Sequence, residues 1–475
     1  MGSHRASSGV SHSPLWFALA ILGGMKITSI PRAAILSICF VVAPLAAEAQ
    51  PTLEQLRFDP PQLCFRDTFR WGFSYRGIPG GLAALRDFEL SGRWDGPGEQ
   101  SIRSLLTPTR DDLQRYTADE GRFESHLLHW GAPRKPPGEI RYMLRVVLAD
   151  GREVTSATSV RYVDACPPPA LHTTLAAAPT GRIGFRTTTP TGSEFLQGIR
   201  PAVSQLIWGD LELPPGRIDR SPAVVIVHGS GGVSPREDRW AAELRQAGAA
   251  TFLLDSFTGR GIAFSGEDQA QLNSLAMLGD AYRALELLAT HPRIDPARIA
   301  VMGFSKGGVA ALYSGMTRFQ RLYGPAGARF SQHIAFYPPC FITYIGDEAV
   351  TDRPIRVFIG TADEFAPVER CRPYVERLRR AGADAQLTAY PGAHHQFDRP
   401  SDGPPRHFPR EQNVSRCFWE ERPEGRVVNR DSGQPFSLDD PCVFRGGTFG
   451  SDGAAYRAAR DAVKALLGAE PPPSR

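Results

Sequence analysis

The chain has 475 residues and a formal net charge of +4, from 54 basic and 50 acidic side chains. So small a charge on so long a chain gives no reason to expect a nucleic-acid or acidic-membrane partner. The length allows two domains and a targeting segment, and the 41 prolines and 47 glycines indicate many turns and loops.

The first 49 residues are interpreted as an N-terminal extension followed by a secretory signal peptide. A short basic region begins at Met25, an apolar stretch follows over residues 33–46, and an A-x-A cleavage sequence ends at Ala49. We therefore place the signal at residues 25–49, with residues 1–24 preceding its start. Cleavage near Ala49 predicts a periplasmic or secreted protein with no stable membrane anchor; an uncleaved anchor is the alternative.

Residues 51–167 contain short strand-like runs separated by turn sequences such as Ile-Pro-Gly-Gly and Ala-Asp-Gly. The runs are Phe69–Tyr75, Asp87–Ser91, Phe123–Trp130, Arg141–Leu148 and Glu153–Tyr162. Regular short strands without long amphipathic helices predict a small all-β, sandwich-like domain. We expect a structural or lid-like accessory role for it, with binding of a polymer or glycan as the alternative.

After a stiff Cys-Pro-Pro-Pro linker, residues 168–470 alternate between apolar strands and amphipathic helices. Strands are predicted over Pro222–His228, Ala250–Leu254, Arg298–Met302, His333–Tyr337, Ile355–Gly360 and Ala385–Tyr390. Helices are predicted over Glu237–Gly248, Leu272–His291, Pro367–Ala381 and Ala454–Leu467. This alternation requires a mostly parallel, doubly wound α/β sheet with helices on both faces.

The first of these strands runs directly into a glycine-rich turn, His-Gly-Ser-Gly-Gly, that begins at His228. Such a turn after a central strand can direct a backbone N–H at a developing oxyanion. We assign that role to Ser230 or Gly231, with an ordinary strand-to-helix loop as the alternative. His228 itself is expected to be structural.

Arg260 follows the next strand and is expected to line the rim of a pocket. A guanidinium there could bind a substrate carboxylate. It could equally form a salt bridge with Asp255 or Asp280, and the sequence favours neither interpretation.

The pentapeptide Gly-Phe-Ser-Lys-Gly, centred on Ser305, lies between an apolar run and a segment of small residues. This predicts a strand, a sharp turn and a helix, with the serine hydroxyl exposed at the turn. The flanking glycines avoid collisions with the neighbouring strand and helix, and the new helix directs free N–H groups at the site. We expect Ser305 to be an acyl-transfer nucleophile. The backbone N–H of Lys306 would be an oxyanion donor and its side chain would lie in solvent.

An acid and a base follow the serine, each after a further strand. Asp363 comes at the carboxyl end of its strand, where catalytic residues of open α/β sheets gather, and can accept a bond from a histidine Nδ1–H. A turn or helix N-cap role is the alternative, and Glu364 is expected to be solvated. After the last strand, His394 and His395 could each serve as the base by composition alone.

Residues 399–452 form an insertion, rich in charge, glycine and proline, between these histidines and the last helix. A loop this long in a compact domain is usually functional or disordered. Its attachment beside the histidines makes it a candidate pocket wall.

Six cysteines remain once the signal peptide is removed, and an even number in an exported chain favours disulfides. Their order along the chain suggests the pairs Cys64–Cys166, Cys340–Cys371 and Cys417–Cys442. Unpaired buried thiols are the alternative, and no C-x-x-C spacing argues for a metal site.

Several ordered stretches between about residue 180 and residue 470 resemble the dienelactone hydrolase family of α/β-hydrolases. They read VVIVHGSGG, LLDSFTGRG, HPRIDPARIAVMGFSKGG, VFIGTADEFAP and YPGAHHQFD. The resemblance implies the α/β-hydrolase fold with the order Ser305, Asp363, His395. It selects His395 because the family's histidine lies two residues before the phenylalanine of the closing motif. The family proper carries a cysteine nucleophile. The serine in this chain therefore weakens the expectation that the substrate is a dienelactone, but it remains compatible with ester hydrolysis.

The motifs and the resemblance together predict a serine hydrolase that cleaves small-molecule carboxylic esters or lactones through an acyl-enzyme, with no metal or organic cofactor. A peptidase of the prolyl-oligopeptidase type has the same order, but residues 51–167 are too few for its usual propeller domain. A catalytically silent exported binding protein on a hydrolase scaffold is the non-enzyme alternative.

Overall fold

The structure is a computed structural model. It describes residues 50–59, 62–64, 68–94, 101–102, 113–114, 116–125, 128–129, 138–163, 168–216, 220–400 and 402–468. The predicted extension and signal peptide lie outside these residues. Within them, no helix is both long enough and apolar enough to cross a membrane.

Two sheets form the N-terminal region. Their strands are β1 (Thr52–Asp59), β2 (Gln62–Cys64), β3 (Thr68–Arg76), β4 (Asp87–Trp94), β5 (Ser101–Ile102), β6 (Gly121–Glu124), β7 (Leu128–His129), β8 (Gly138–Val147) and β9 (Glu153–Val163). One sheet has the order β1-β3-β6, with β7 also paired to β3, and the other has the order β2-β9-β8-β4-β5. The pairs are antiparallel except β2 with β9, which is parallel.

The two N-terminal sheets share one hydrophobic core. Burial alternates along β8, so that Tyr142 and Leu144 point inward while Met143 between them faces solvent. They join Trp71 and Phe73 of β3 in a single buried cluster. Alternation with period two buries one face of each sheet, which confirms the predicted sandwich-like arrangement.

An eight-stranded sheet forms the centre of the C-terminal region in the described part of the chain. Strands β10 to β18 are Gly181–Thr188, Ser204–Glu212, Ser221–Val227, Ala250–Asp255, Ile294–Phe304, His333–Phe336, Ile342–Thr343, Ile355–Gly360 and Ala385–Tyr390. The sheet has the order β10-β11-β13-β12-β14-β15-β17-β18, and β16 lies outside it. Pairs from β13 to β18 are parallel, whereas β10 with β11 and β11 with β13 are antiparallel.

Helices cover both faces of this sheet. In chain order, α1 to α7 are Gly192–Gln197, Pro235–Gln246, Ser274–Leu288, Lys306–Tyr313, Thr317–Tyr323, Val368–Arg380 and Gly453–Gly468. Every residue of β12 is buried. Val225 packs in one cluster with α3 residues such as Leu285, whereas Val224 packs in another with Trp240 of α2 and Tyr456 of α7. The predicted doubly wound α/β class is therefore confirmed.

The insertion over residues 399–452 folds as short strands. They are β19 (Arg406–His407), β20 (Gln412–Asn413), β21 (Trp419–Arg422), β22 (Arg426–Asn429), β23 (Phe444–Arg445) and β24 (Thr448–Phe449). Strand β21 pairs with β16 and with β22, which attaches the insertion to the segment after β15.

Two of the three predicted disulfides are present, Cys340–Cys371 and Cys417–Cys442. The first joins the segment after β15 to α6. The second closes the insertion on itself. The third predicted pair, Cys64–Cys166, lies outside the side chains that the structure describes.

Candidate active site

Ser305 lies at the sharp turn between β14 and α4. Its φ is 52° and ψ −114°, a left-handed conformation that is strained for a residue with a side chain. A Cβ at Gly303 would lie 2.1 Å from the carbonyl oxygen of Gly307, and a Cβ at Gly307 would lie 2.3 Å from that of Val227. Only glycine fits at these two positions, so the flanking glycines are required for the close approach of strand and helix.

His395 lies between Ser305 and Asp363. Its Nε2 is 3.0 Å from Ser305 Oγ, and its Nδ1 is 2.8 Å from Asp363 Oδ2. Asp363 and His395 are only 4% and 2% exposed. The structure thus brings together the three residues that the sequence selected.

The loop after β17 holds Asp363 in place. Its second oxygen, Oδ1, accepts the backbone N–H groups of Phe365 (2.9 Å) and Ala366 (2.8 Å). The carboxylate therefore makes the predicted turn bonds with one oxygen and contacts the imidazole with the other. Helix α6 has Pro367 as its N-cap, so the N-cap alternative for Asp363 does not apply.

The glycine-rich turn after β12 passes beside the serine. A Cβ at Gly229 would lie 3.5 Å from the Cβ of Ser305. The carbonyl of Ser230 accepts the N–H of Ser265 (2.9 Å), and its hydroxyl accepts a bond from Gln269 (3.0 Å). These bonds fix the turn next to the nucleophile. The backbone N–H groups of Lys306 and of Ser230 or Gly231 stay predicted oxyanion donors.

His228 has the structural role expected of it. It is fully buried, its Nδ1 is 2.7 Å from the carbonyl oxygen of Gly229, and its Nε2 accepts the N–H of Ser256 (3.2 Å). Burial lowers the pKa of His228. The neutral ring thereby ties the glycine-rich turn to the loop after β13.

The Lys306 side chain is not in solvent, which corrects the sequence-based expectation. Its Nζ donates to the carbonyl oxygens of Leu272 (2.5 Å) and Gln269 (3.0 Å) and to Ser265 Oγ (3.3 Å). Burial lowers the pKa of Lys306 to about 7. The side chain therefore fastens the segment between β13 and α3 to the start of α4.

Arg260 forms the salt bridge that was one of its two predicted roles. Its guanidinium bonds both carboxylate oxygens of Asp280, at 2.7 and 2.9 Å, and both side chains are buried. Its remaining nitrogen contacts are to Ser256, Thr188 and Thr189. All three guanidinium nitrogens thus donate to groups of the protein itself, which favours the salt bridge over the substrate-binding role.

A cavity of about 940 Å³ opens beside Ser305. Ser230, Lys306 and Phe365 line it near the serine, and residues of the insertion, including Trp419 and Phe436, form part of its wall. The insertion thus lies where the sequence suggested a pocket wall.

A buried polar network packs against His395, and sequence reasoning missed it. Arg236 contacts Glu237 and donates to the hydroxyl of Tyr337 (3.0 Å), which donates to Asp398 Oδ1 (2.6 Å). The ring of Tyr337 lies 4.5 Å from that of His395. Burial disfavours the charge of Glu237, but Arg236 beside it holds its pKa below the usual value. Arg236 is the only cation among the four side chains of this network.

Replacing Arg236 with methionine should lower the free energy of unfolding by about 3–5 kcal/mol, because the buried carboxylate of Glu237 then loses the cation that contacts it. Urea unfolding of the mature protein measures this. Arg239→Met on the same helix is the matched control, and its partly exposed side chain should cost less than about 1 kcal/mol. Equal effects of the two variants would contradict a special role for Arg236.

The sheet order, the flanking helices and the serine at a strand-to-helix turn are those of an α/β-hydrolase. Residues 209–420 match the sequence model of the Dienelactone hydrolase family. The matched segment contains Ser305, Asp363 and His395, so it supports the resemblance to this family within the α/β-hydrolase superfamily.

One curated relative matches a short segment of the chain. A segment of 102 residues is 31% identical to acyl-protein thioesterase 1 of Gibberella zeae, covering 22% of this chain and 43% of the relative. The chain therefore spans less than half the length of that curated relative.

Similar solved structures include esterase 2 of Thermogutta terrifontis phosphonylated by cyclosarin and the same protein phosphoramylated by tabun. Identities are 19% and 16%, and TM-scores are 0.34 and 0.37. They cover 40% and 56% of this chain and 80% and 89% of their own. Because these identities and TM-scores are low, the α/β-hydrolase fold is assigned from the sheet order and the family match instead.

Proposed function

We propose that the chain is a serine hydrolase that cleaves carboxylic esters or lactones through an acyl-enzyme. The observation that carries the proposal is the hydrogen-bonded line from Ser305 Oγ through His395 to Asp363, with separations of 3.0 and 2.8 Å. A nucleophile within reach of a base that is itself oriented by a third group is the arrangement that acyl transfer requires. The family match and the thioesterase-like segment support hydrolase chemistry.

In the proposed mechanism each residue has its own role. Ser305 Oγ attacks the acyl carbonyl while His395 Nε2 takes the hydroxyl proton, and Asp363 orients the ring and stabilises the imidazolium. The N–H groups of Lys306 and of Ser230 or Gly231 would hold the tetrahedral oxyanion. The alcohol leaves with the proton from His395. Water then attacks the acyl-enzyme with His395 again as base, which releases the acid without a metal or organic cofactor.

We also propose that the mature protein is periplasmic or secreted, with the signal removed near Ala49. Disulfides Cys340–Cys371 and Cys417–Cys442 support this because such bonds persist in oxidising compartments. Residues 51–167 would form an accessory domain and residues 168–470 the hydrolase domain.

A fluorophosphonate probe tests the proposal directly. The folded mature protein should be labelled on the peptide that contains Ser305, because Oγ attacks phosphorus and displaces fluoride. Protein unfolded in urea is the control and should not react, since an isolated serine is a weak nucleophile. No labelling of the folded protein would favour the silent binding protein. Labelling with cleavage of a proline-containing peptide and no ester turnover would favour the peptidase.

A further inference from the structure

We infer that the site takes large, uncharged esters whose long apolar chain packs against a wall formed mainly by the insertion. The inference rests on the proposed function and names its substrate class. The apolar wall consists of Phe341, Val414, Trp419, Val427, Phe436 and Leu438, which all line the cavity that contains Ser305. At about 940 Å³, this cavity lies near the upper end of the usual range for ligand pockets.

The apolar wall is held in place before any substrate arrives. Phe341 and Trp419 form a buried cluster with Cys417, whose disulfide to Cys442 closes the insertion. The backbone N–H of Trp419 donates to the carbonyl of Phe341 (2.9 Å), and its ring lies 4.6 Å from that of Phe436. A pre-formed apolar surface gains binding energy from an apolar chain at little ordering cost.

A salt bridge attaches β21, the strand that begins at Trp419, to the hydrolase core. Glu421 of β21 is buried and accepts two bonds from Arg318 of α5, at 2.6 and 2.8 Å. Its carboxylate also accepts the N–H of Ile345 (2.9 Å). The buried cluster with its disulfide and the contacts of Glu421 therefore both hold the apolar wall in position relative to Ser305.

The charges of the cavity lining exclude a charged substrate chain. Among the lining residues, all of them in the described part of the chain, the ionisable side chains other than tyrosine are Lys306, Arg426 and Asp439. Lys306 already donates to three oxygens of the protein, and Arg426 and Asp439 are exposed. Arg260 is committed to Asp280. A carboxylate packed against the apolar wall would thus have no buried cation as its partner, which is costly.

The test is the kcat/KM of p-nitrophenyl esters from acetyl to octanoyl, beside a parallel series of alkyl butyrates. Each buried methylene is worth up to about fourfold, so the eight-carbon chain should exceed the two-carbon chain by at least about 100-fold in the series whose chain meets the apolar wall. The p-nitrophenyl monoester of suberic acid has the same chain length as octanoyl but ends in a carboxylate, and it should react about 100-fold more slowly than the octanoate. The series that shows the preference identifies whether the acyl or the alcohol chain is held.

Two matched aromatic residues of the insertion test the wall itself. Phe436 lines the cavity and is 43% exposed, whereas Phe418 is 40% exposed and does not line it. Phe436→Glu should lower kcat/KM for the preferred long-chain ester by about 10-fold or more and leave the acetyl or short-chain ester within about twofold, because a charge then faces the apolar chain. Phe418→Glu should leave both unchanged.

The outcomes separate this inference from the proposed function. Serine-dependent turnover with a flat length profile in both series overturns the inference alone. Where the acyl series shows the length preference, equal rates for the suberate and octanoate esters overturn the uncharged class. No turnover of any ester overturns the inference, and only the further failure of the folded protein to be labelled by the fluorophosphonate overturns the proposed function as well.

Discussion

Replacing Ser305 with alanine should lower kcat for p-nitrophenyl butyrate by about 10⁶-fold, as when the nucleophile of other triads is removed. The reason is that the acyl-enzyme can no longer form, so only direct attack by water on the bound ester remains. Some acceleration over water should persist, because the oxyanion donors and the cavity are unchanged. Steady-state turnover by wild type and variant measures the difference.

Ser193→Ala is the matched control for that experiment. Ser193 lines the same cavity, but its hydroxyl accepts a bond from Gln197 (2.9 Å) rather than facing His395. Its removal should change kcat by less than about twofold, since exposed substitutions away from the reacting atoms have small effects. A Ser305→Ala variant that folds normally and keeps kcat within about 10-fold of wild type would remove Ser305 from the mechanism.

The parallel strands that precede the site residues, and those residues themselves, could be predicted because their signals are local. Strand Ile355–Gly360 and strand Ala385–Tyr390 have the bounds predicted for them. The first is a short, mostly apolar run and the second alternates apolar with polar residues, each has a clear end, and the carboxyl ends of parallel strands meet at one edge of the sheet. Asp363 and His395 are therefore brought to Ser305 by topology alone.

The antiparallel edge of the sheet was not predicted. Strands β10 and β11 mix polar and apolar residues, and β10 lies at the edge of the sheet. A half-buried edge strand lacks the continuous apolar run that marks a central one. Without that run, the sequence offered no boundary for these two strands.

The surroundings of Lys306 and Arg260 could not be predicted, because they consist of residues that are distant in sequence. The partners of Lys306 lie 34 to 41 residues earlier in the chain, and Asp280 lies 20 residues after Arg260. For Arg260 the sequence could only offer alternatives. For Lys306 it gave no sign that the segment around Gln269 covers the side chain, because loop paths are set by tertiary packing. The pairing of Tyr337 with Asp398, 61 residues apart, was hidden for the same reason.

His395→Ala should lower kcat by about 10⁶-fold, close to the loss expected for the serine, because triad members act as a unit. Nε2 of His395 is the atom within 3.0 Å of Ser305 Oγ, and its ring is fixed by Asp363 on the other side. Without it, nothing in this geometry takes the serine proton or returns it to the leaving alcohol. The rate of fluorophosphonate labelling should fall with kcat, since both need the activated hydroxyl.

His394→Ala is the neighbouring control and separates two histidines that composition alone could not. The Nδ1 of His394 is buried without a hydrogen-bond partner. Its side chain packs against Gly450, where a Cβ would lie 3.1 Å from that of His394. It has no contact with Asp363 that would hold it as a base, so its loss should change kcat by less than about fivefold, the size of an ordinary packing effect. A severe His394→Ala with a mild His395→Ala would move the base to His394. Asp363 would then need another partner, although its Oδ2 faces His395 at 2.8 Å.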